Sequence, residues 1–406
     1  MDFDFVSVPD RRGMGALAVD EIGRGSAGSN APTAPKAGFS AIPMWIADMN
    51  FATCPAVTRR ISDRLSHPLF GYFLPSDAYY DAIIQWQRDR NRVTGLARDA
   101  IGYENGVLGC VASAVQAFSS PGDGVLVHSP AYIGFTHTLD NNGRKPVFSP
   151  LKRDENGVWR MDYEDMDRRL KENRIHLAVF CSPHNPCGRV WEEGEIRRAM
   201  EVYRDNRCVV ISDEIWSDIL LDGHRHIPTQ SVSADARERT VAVYAPSKTF
   251  NLAGLIGSYH IVYSPYLRDR LHRQSECCHY NNMNVLSMHA LIGAYSPEGR
   301  KWTDELCAVI SKNIEYACSF MKQNFRGVDF ARPEGTYMVF LHCEEWCRSH
   351  NLSLRDLLLR GWDVGVGWQS GVPFRDPWGI RVNFALPFSL VKEAMERLKK
   401  HVFTES

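Results

Sequence analysis

The fold is decided by the stretch Val241-Ala242-Val243-Tyr244-Ala245-Pro246-Ser247-Lys248-Thr249-Phe250-Asn251-Leu252-Ala253-Gly254-Leu255. Its β-branched, apolar start predicts a buried parallel strand, because such strands are almost continuously apolar. A small polar turn follows, and it carries a single lysine, Lys248. We therefore expect Lys248 at the carboxyl end of a sheet strand, where open α/β sheets bind their ligands.

Two interpretations of Lys248 are open on this stretch alone. A lysine that is desolvated in a pocket loses its proton easily, and its amine then becomes a Schiff-base nucleophile. An ordinary surface lysine after a core strand is the alternative, because single motifs often match by chance. The neighbouring strands are needed to choose between them.

Two further runs with buried-strand character end in polar residues. Residues 208–212 lead into Asp213, and residues 177–181 lead into the turn that carries Asn185. A lysine, an aspartate and an asparagine are the set that pyridoxal phosphate needs: an amine for the Schiff base, a carboxylate for the pyridine nitrogen and an amide for the ring hydroxyl. The carboxylate acts by charge, since it favours the protonated ring. The sequence therefore predicts pyridoxal 5'-phosphate as the cofactor.

Motifs of a known family occur in family order along nearly the whole chain. They are Asp10-Arg11-Arg12-Gly13, Ile42-Pro43-Met44-Trp45-Ile46-Ala47-Asp48-Met49-Asn50-Phe51, Phe70-Gly71-Tyr72, Asn105-Gly106-Val107, Pro130-Ala131-Tyr132, His184-Asn185-Pro186, the Asp213 and Lys248 segments, Pro333-Glu334-Gly335-Thr336-Tyr337 and Arg381-Val382-Asn383-Phe384-Ala385. With these motifs the chain resembles the fold-type I pyridoxal-phosphate enzymes. More narrowly, it is similar to the MalY/PatB group of aminotransferase-like cystathionine β-lyases, which are C–S lyases.

The resemblance implies an α/β fold in two domains. It implies a large cofactor-binding domain over residues 48–291, with a mostly parallel seven-stranded sheet. Residues 1–47 and 292–406 would form a smaller α+β domain. The pattern agrees, because strands alternate with helices in the first range, as crossover connections between parallel strands require.

Several local elements are predicted from the pattern itself. Ser76 is expected to cap a helix with apolar residues on one face, and residues 195–204 form a second amphipathic helix. Near the carboxyl end we expect a helix around 303–324, strands around 336–342 and 380–384, and a closing helix from Ser389. Residues 21–41 are rich in Gly, Ser, Ala and Pro, which predicts a flexible surface loop.

The remaining cofactor contacts come from the resemblance. A glycine-containing turn into a helix amino terminus offers N–H groups to a phosphate, and the family match assigns this cradle to Gly106, Val107 and Leu108. Ser247 adds a hydroxyl. Tyr72 matches a tyrosine that reaches the partner subunit's phosphate, which implies a homodimer with its active site at the subunit interface.

Two aromatic residues complete the predicted cofactor site. Tyr132 is the aromatic lid over the pyridine ring and is counted among the catalytic residues with Lys248 and Asp213. Trp216 stands where related enzymes often carry a tyrosine or histidine, and its indole N–H is a donor only. The chain also lacks the arginine that many aminotransferases carry shortly after the lysine, and Ala245 replaces their phosphate-binding serine.

Arg381 is the predicted binding residue for the substrate α-carboxylate, because a guanidinium fork matches a carboxylate in bidentate geometry. A surface arginine on a strand is the alternative. Asn185 is assigned to the substrate as well as to the cofactor. Trp45 and Tyr337 are predicted to line the substrate entrance, although aromatic residues are more often core than ligand.

Composition excludes several classes of protein. The formal net charge is −1 and charged residues are 23% of the chain, so no basic field for nucleic acid or membrane is expected. No apolar run approaches the about 18 residues of a membrane span, and residues 1–5 lack a signal-peptide profile. Eleven scattered cysteines predict reduced thiols and a cytoplasmic location. No metal site is predicted, because neither Cys277-Cys278 nor the pair Cys343 and Cys347 has a second pair at zinc-site spacing.

The predicted reaction is β-elimination from L-cystathionine or a related L-cysteine S-conjugate, giving pyruvate, ammonia and a thiol. Lys248 would remove the Cα proton as general base. Transamination of a neutral or aromatic amino acid shares these first steps and is the alternative. A mainly regulatory protein with the same fold is less favoured, because the chemistry-bearing residues are intact. In the first two interpretations the partner is a small-molecule amino-acid substrate, and no nucleic acid or membrane is expected.

Overall fold

The computed structural model describes residues 1–24, 30–278 and 281–404, without the side chain of Cys278. The chain divides into two compact units. The sheet unit comprises Thr53–Asn185 and Arg189–Asp304, and the terminal unit comprises Met1–Ala52, Pro186–Gly188 and Glu305–Ser406. The predicted domain boundaries at residues 48 and 291 stay a prediction.

Helices and strands are numbered here in chain order. The strands are β1 Ile42–Pro43, β2 Ile101–Glu104, β3 Gly124–Ser129, β4 Lys145–Pro150, β5 Lys152–Arg153, β6 Trp159–Arg160, β7 Leu177–Cys181, β8 Val209–Asp213, β9 Thr240–Tyr244, β10 Ser258–Ile261, β11 Asp329–Phe330, β12 Met338–His342, β13 Val366–Gly367, β14 Gln369–Ser370 and β15 Gly379–Asn383. The helices are α1 Leu17–Asp20, α2 Pro55–Leu65, α3 Asp77–Asn91, α4 Val107–Phe118, α5 Ile133–Asn141, α6 Tyr163–Glu172, α7 Glu193–Asp205, α8 Ala234–Arg239, α9 Pro265–Cys278, α10 Val285–Ala294, α11 Pro297–Asn324, α12 Glu344–Ser349, α13 Leu354–Asp363 and α14 Phe388–His401.

The sheet unit is built on a seven-stranded sheet in the order β2-β10-β9-β8-β7-β3-β4. Strand β10 pairs antiparallel with β2 and with β9. The other strand pairs that the structure describes in this sheet are parallel. Every residue of β7 and β9 is buried, as expected for central parallel strands that are covered on both faces. The predicted mostly parallel seven-stranded sheet is therefore confirmed.

The helices of this unit follow the predicted faces, with one correction. In α7 the apolar face is buried as expected, and it consists of Ile196, Ala199, Met200 and Tyr203. Helix α3 begins directly after Ser76, but the Ser76 side chain makes no capping hydrogen bond. Its hydroxyl instead points toward the Met288 sulfur at 3.9 Å. The prediction of the helix start was correct, whereas the capping contact was wrong.

The terminal unit contains an antiparallel sheet in the order β11-β12-β15-β14 and a short parallel pair of β1 and β13. Strand β15 is buried along its whole length. Helix α11 begins at Pro297, earlier than the predicted start near residue 303. Ser296 accepts a hydrogen bond from the Gly299 N–H at 3.1 Å, and proline is favoured at a first helical position. These two local features favour a helix start at Pro297, before the predicted position.

The segment 21–41 is only partly the loop that its composition predicts. The Gly23 N–H donates to the Pro32 carbonyl at 2.9 Å, and a Cβ on Gly23 would lie 2.9 Å from that of Ala34. These contacts hold the two flanks of the segment together. Residues 25–29, on which the prediction of flexibility also falls, lie outside the described residues. Among the helices that the structure describes, none is long and apolar enough to cross a membrane.

Candidate active site

The carboxyl ends of β7, β8 and β9 lie side by side in the sheet. Asp213 is the last residue of β8, and its register partners are Cys181 at the end of β7 and Val243 near the end of β9. Asn185 and Lys248 lie in the segments that follow β7 and β9. The structure therefore places the three predicted polar residues at one edge of the sheet, as the pattern of buried strands indicated.

Asp213 is a carboxylate in an unfavourable environment. Its residue is 3% exposed, and its Oδ1 accepts a hydrogen bond from the Ile215 N–H at 3.1 Å. Burial raises the pKa of Asp213 to about 7, against the opposing effects of that N–H and of the Lys248 charge. A buried carboxylate with a raised pKa is stabilised by a nearby cation. The environment of Asp213 thus fits the protonated pyridine nitrogen of pyridoxal phosphate.

Lys248 lies in a turn that is closed by two backbone hydrogen bonds. The Phe250 N–H donates to the Pro246 carbonyl at 2.9 Å, and the Leu252 N–H donates to the Ser247 carbonyl at 2.9 Å. Lys248 and Ser247 are half-buried. The position of the lysine amine is therefore set by a closed turn, and its side chain keeps access to solvent.

Trp216 lies beside the lysine amine. The Lys248 Nζ is 5.8 Å from the centroid of the Trp216 ring, and Trp216 is 1% exposed. A cation over an aromatic face is attracted to the ring electrons. The Trp216 ring thus lies next to the Lys248 amine. The sequence analysis considered only the indole N–H of Trp216 and did not predict this contact.

Helix α4 provides an anion-binding amino terminus. Gly106 precedes the helix with φ +78°, a backbone conformation that favours glycine. The first helical bond runs from the Cys110 N–H to the Gly106 carbonyl at 3.0 Å. The N–H groups of Val107 and Leu108 precede this bond, so they point out of the helix end toward a ligand. This geometry fits the phosphate of the cofactor.

Tyr132 lies against the first turn of α4. A Cβ on Gly134 would be 2.5 Å from the Tyr132 ring and 2.8 Å from the Leu108 side chain. Both side chains therefore approach the same glycine, and the ring also packs edge-on against Phe135 at 5.3 Å between centroids. The structure brings the predicted aromatic lid and the predicted phosphate cradle together around Gly134.

Sequence reasoning missed a buried acidic network behind this edge of the sheet. Glu214 is fully buried and accepts hydrogen bonds from His226 at 2.6 Å, from Ser212 at 2.9 Å, and from Tyr244. Burial acts to raise the pKa of Glu214, but His226 and the hydrogen-bond donors outweigh it and hold the pKa below its usual value. The signal in the sequence was a second carboxylate directly after Asp213.

Of the predicted substrate residues, Asn185 belongs to the sheet unit, and the terminal unit contains Arg381, Trp45 and Tyr337. Arg381 lies on β15 and is 3% exposed, so the surface-arginine alternative is wrong. Its Nη2 donates to the Trp45 carbonyl at 3.3 Å, and its guanidinium lies 4.7 Å from the Phe374 ring centroid. A guanidinium can pair with a carboxylate in bidentate geometry, which is the role predicted for Arg381.

The two predicted entrance residues have the contacts of core residues. Trp45 donates its indole N–H to the Ala18 carbonyl at 3.0 Å. Tyr337 is fully buried and donates its hydroxyl to the Ala47 carbonyl at 3.0 Å. Both side chains support the segment around Trp45, and their assignment to a substrate entrance stays a prediction.

Comparison with known proteins identifies the class. The chain matches the aminotransferase class I and II family over residues 42–398 and belongs to that family. Its fold is the fold-type I fold of pyridoxal-phosphate-dependent transferases, and pyridoxal phosphate is the cofactor of this class.

Two relatives carry the names of the MalY/PatB group. Cystathionine beta-lyase PatB of Bacillus subtilis strain 168 is 35% identical over 362 residues, which are 88% of this chain and 92% of PatB. Protein MalY of Escherichia coli K12 is 29% identical over 342 residues, which are 84% of this chain and 83% of MalY. The resemblance to the MalY/PatB group predicted from the motifs is confirmed.

Solved structures agree with the sequence relatives. Cystalysin from Treponema denticola, which contains pyridoxal 5'-phosphate, has a TM-score of 0.89 and 27% identity, with 98% of each chain covered. The pyridoxal-phosphate-bound C-S lyase from Staphylococcus hominis has a TM-score of 0.89 and 26% identity, with 100% of this chain and 99% of that chain covered.

Proposed function

We propose that this protein catalyses a pyridoxal-phosphate-dependent β-elimination that cleaves the C–S bond of L-cystathionine or a related L-cysteine S-conjugate. The products are pyruvate, ammonia and a thiol. The observation that carries the proposal is the juxtaposition of buried Asp213 and Lys248 at the ends of β8 and β9. The similarity to PatB and to the Staphylococcus hominis C-S lyase supports the choice of reaction.

The cofactor would be held by groups of the sheet unit. Asp213 would pair with its ring nitrogen, the N–H groups at the start of α4 and the Ser247 hydroxyl would bind its phosphate, and Lys248 would bind its aldehyde. Asn185, which is 4% exposed, would donate to the ring hydroxyl, and Tyr132 would cover the ring. When bound, pyridoxal phosphate supplies an electron sink that accepts the charge left at the substrate Cα.

Lys248 has the proton-transfer role in this proposal. Its amine takes the Cα proton of the amino acid, for which it must be neutral and within hydrogen-bond reach of that carbon. Lys248 is half-buried, and its Nζ lies 5.8 Å from the centroid of the Trp216 ring, which attracts a cation. The Trp216 ring would thus lie beside the ammonium that Lys248 becomes when it takes the proton.

Arg381 would bind the substrate α-carboxylate. Its burial strengthens a charge-assisted pair, because the surrounding dielectric is low. The Phe374 ring, whose centroid lies 4.7 Å from the guanidinium carbon, packs against this side chain. Specificity for an α-amino acid would follow from this one residue, and the side chain beyond Cβ would be selected elsewhere.

We further propose a homodimer in the cytoplasm. The segment around Tyr72 exposes large apolar side chains, and they are Leu69 at 67%, Phe70 at 56%, Tyr72 at 110% and Leu74 at 87% exposure. Large apolar residues in a continuous exposed stretch favour burial against another protein. A second copy of the chain would cover them and would bring Tyr72 toward the partner's cofactor phosphate.

Transamination is the second candidate, favoured by the match to the aminotransferase class I and II family. The same lysine, aspartate and arginine would serve it, because the two reactions share proton removal from Cα. In an enzyme with both activities, the step that follows proton removal would decide between β-elimination and transamination.

One assay separates these candidates. Purified protein is incubated with L-cystathionine and no keto acid, while pyruvate and free thiol are measured together. Equal release of both products supports β-elimination. If the yellow cofactor colour is present and neither product forms, transamination is the better assignment, and an added keto acid should restore turnover. Neither colour nor product would refute the cofactor site.

A further inference from the structure

A second group of chemically active side chains lies in the sheet unit. Glu104 is the last residue of β2, Cys110 is in the first turn of α4, and His260 is on β10. One ligand atom from each lies within 4.8 Å of the other two, and the Glu104 Oε1 is 2.8 Å from the His260 Nδ1. Within residues 1–24, 30–278 and 281–404, this is the only group of such side chains with metal-binding proximity.

The strand pairing holds the imidazole in place. His260 lies opposite Gly102 in the antiparallel register of β2 and β10. A Cβ on Gly102 would lie 2.3 Å from the His260 ring. Only glycine therefore leaves space for the imidazole at this position, so the sequence of β2 is adapted to the orientation of the histidine.

The carboxylate is held from its other side. The Glu104 Oε2 accepts a hydrogen bond from the Asn281 side chain at 2.9 Å, which leaves Oε1 directed at His260. Such outer contacts orient a metal ligand and tune its basicity. Glu104 is 1% exposed and Cys110 is fully buried, so two of the ligands lie on rigid, packed elements.

An open cavity reaches two members of the group. Glu104 and His260 line this cavity of about 510 Å³, together with Arg268, His272 and Asn281. Water from this cavity can supply a fourth ligand, and an ion can enter without unfolding the sheet. The group therefore has the buried ligands and the open side of a three-residue metal site.

We propose that Glu104, Cys110 and His260 bind one divalent transition-metal ion of the zinc type. A nitrogen, a sulfur and an oxygen donor form a ligand set that zinc accepts, with water in the remaining position. The Glu104 carboxylate and the Cys110 thiolate together neutralise the two positive charges of the ion. The 2.8 Å between Oε1 and Nδ1 is shorter than the about 3.3 Å between two ligands of tetrahedral zinc. The ion would replace this hydrogen bond and separate the Glu104 and His260 atoms by about a further 0.5 Å.

The site joins three elements of the cofactor-binding unit. Cys110 follows the phosphate cradle of α4, and its N–H donates to the Gly106 carbonyl at 3.0 Å. An ion bound to Cys110 would fasten the start of α4 to β2 and β10. Zinc is therefore expected to protect the holoenzyme against thermal unfolding, since it binds the folded chain.

The test is equilibrium dialysis of the holoenzyme against Zn²⁺, with zinc per chain measured by elemental analysis. Wild-type protein should retain one zinc per chain. Cys110→Ser and His260→Gln should each bind zinc at least about ten-fold more weakly, whereas the control Cys277→Ser changes an exposed cysteine and should match wild type. No retained zinc in wild type, or equal retention in Cys110→Ser and His260→Gln, overturns the proposal in favour of a hydrogen-bonded cluster.

A second measurement uses the wild-type chain, so it does not depend on whether the variants fold. Crystals of the wild-type holoenzyme are soaked in Zn²⁺, and anomalous scattering is recorded on both sides of the zinc absorption edge. A peak between the Glu104, Cys110 and His260 side chains supports the site. Peaks only at other positions, or no peak, refute it.

Discussion

Asp218 accepts a hydrogen bond from the hydroxyl of Thr249, the residue that follows Lys248, at 3.0 Å between Oδ2 and Oγ1. Its other oxygen accepts from the Trp86 indole N–H at 3.0 Å. Asp218 is 3% exposed and Thr249 is fully buried. One buried carboxylate therefore joins the segment after β8, the turn after β9 and helix α3. We conclude that Asp218 positions the backbone from which Lys248 extends.

Thr249→Val is expected to lower both stability and turnover. The valine keeps the shape but removes one donor from a buried carboxylate, which costs about 1–3 kcal/mol of unfolding free energy. Displacement of Lys248 by a fraction of an ångström is expected to lower kcat by about ten-fold or more. Urea unfolding and steady-state kinetics measure the two effects. Thr249→Ser keeps the hydroxyl and should retain most of both, and a valine variant with wild-type kinetics would contradict the positioning role.

Asp213→Asn is expected to stabilise the cofactor-free protein above neutral pH. The Asp213 pKa is raised from 3.8 to about 7 in the folded chain, chiefly by burial. The folded chain thus holds a proton that the unfolded chain releases between these values, so its stability falls as pH rises through this window. Asparagine removes that loss, which amounts to at most about 4 kcal/mol near pH 8.

Urea unfolding of the cofactor-free forms at about pH 4 and about pH 8 measures the difference in unfolding free energy between Asp213→Asn and wild type at each pH. The gain should be large at the higher pH and small at the lower one. The same variant should bind pyridoxal phosphate more weakly, because the ring nitrogen loses its anionic partner. Asp63→Asn alters an exposed carboxylate and should show neither effect. A stability difference that does not vary with pH would contradict the burial of an ionisable Asp213.

The cofactor edge of the sheet was predictable because buried parallel strands leave a strong local signal. The apolar runs before Asn185, Asp213 and Lys248 fixed both the strands and the shared edge, and the order β9-β8-β7 confirms that they are neighbours. The roles of these three residues stay predictions until they are tested. A periodic pattern thus locates polar groups more reliably than it assigns their chemistry.

Other features were not predictable, because they depend on contacts between distant segments. The bond from Thr249 to Asp218 joins two loops that no periodicity relates. The group of Glu104, Cys110 and His260 forms only when β10 pairs antiparallel with β2, whereas a search by cysteine spacing considered nearby pairs alone. The position of Ser76 correctly predicted the start of helix α3, but its hydroxyl contacts the Met288 sulfur and not a helix N–H. Helix propensity does not determine which partner a hydroxyl contacts.

Arg381→Lys is expected to raise KM by about 10–100-fold with a smaller change in kcat. A lysine cannot form the bidentate pair with a carboxylate, and charge-assisted hydrogen bonds contribute about 1.5–3 kcal/mol. It also loses the contact of the guanidinium with the Phe374 ring at 4.7 Å. Initial rates over a range of L-cystathionine concentrations separate the two constants. The amine analogue that lacks the α-carboxylate should bind wild type and variant equally, and a selective loss of its binding would assign Arg381 to structure instead.

Gly134→Ala is expected to disturb the cofactor site while leaving the fold intact. The new Cβ would lie 2.5 Å from the Tyr132 ring, so this side chain must move, and it would also crowd the Leu108 side chain at 2.8 Å. Helix α5 itself tolerates alanine, which favours helix over glycine by about 1 kcal/mol. Gly109→Ala is the matched control, because its Cβ would meet only Asn105 at an ordinary 3.6 Å. The cofactor absorption spectrum and kcat should change in Gly134→Ala alone, with wild-type circular dichroism in both variants. If both alanine variants kept the wild-type spectrum, Tyr132 would not be the ring that covers the cofactor.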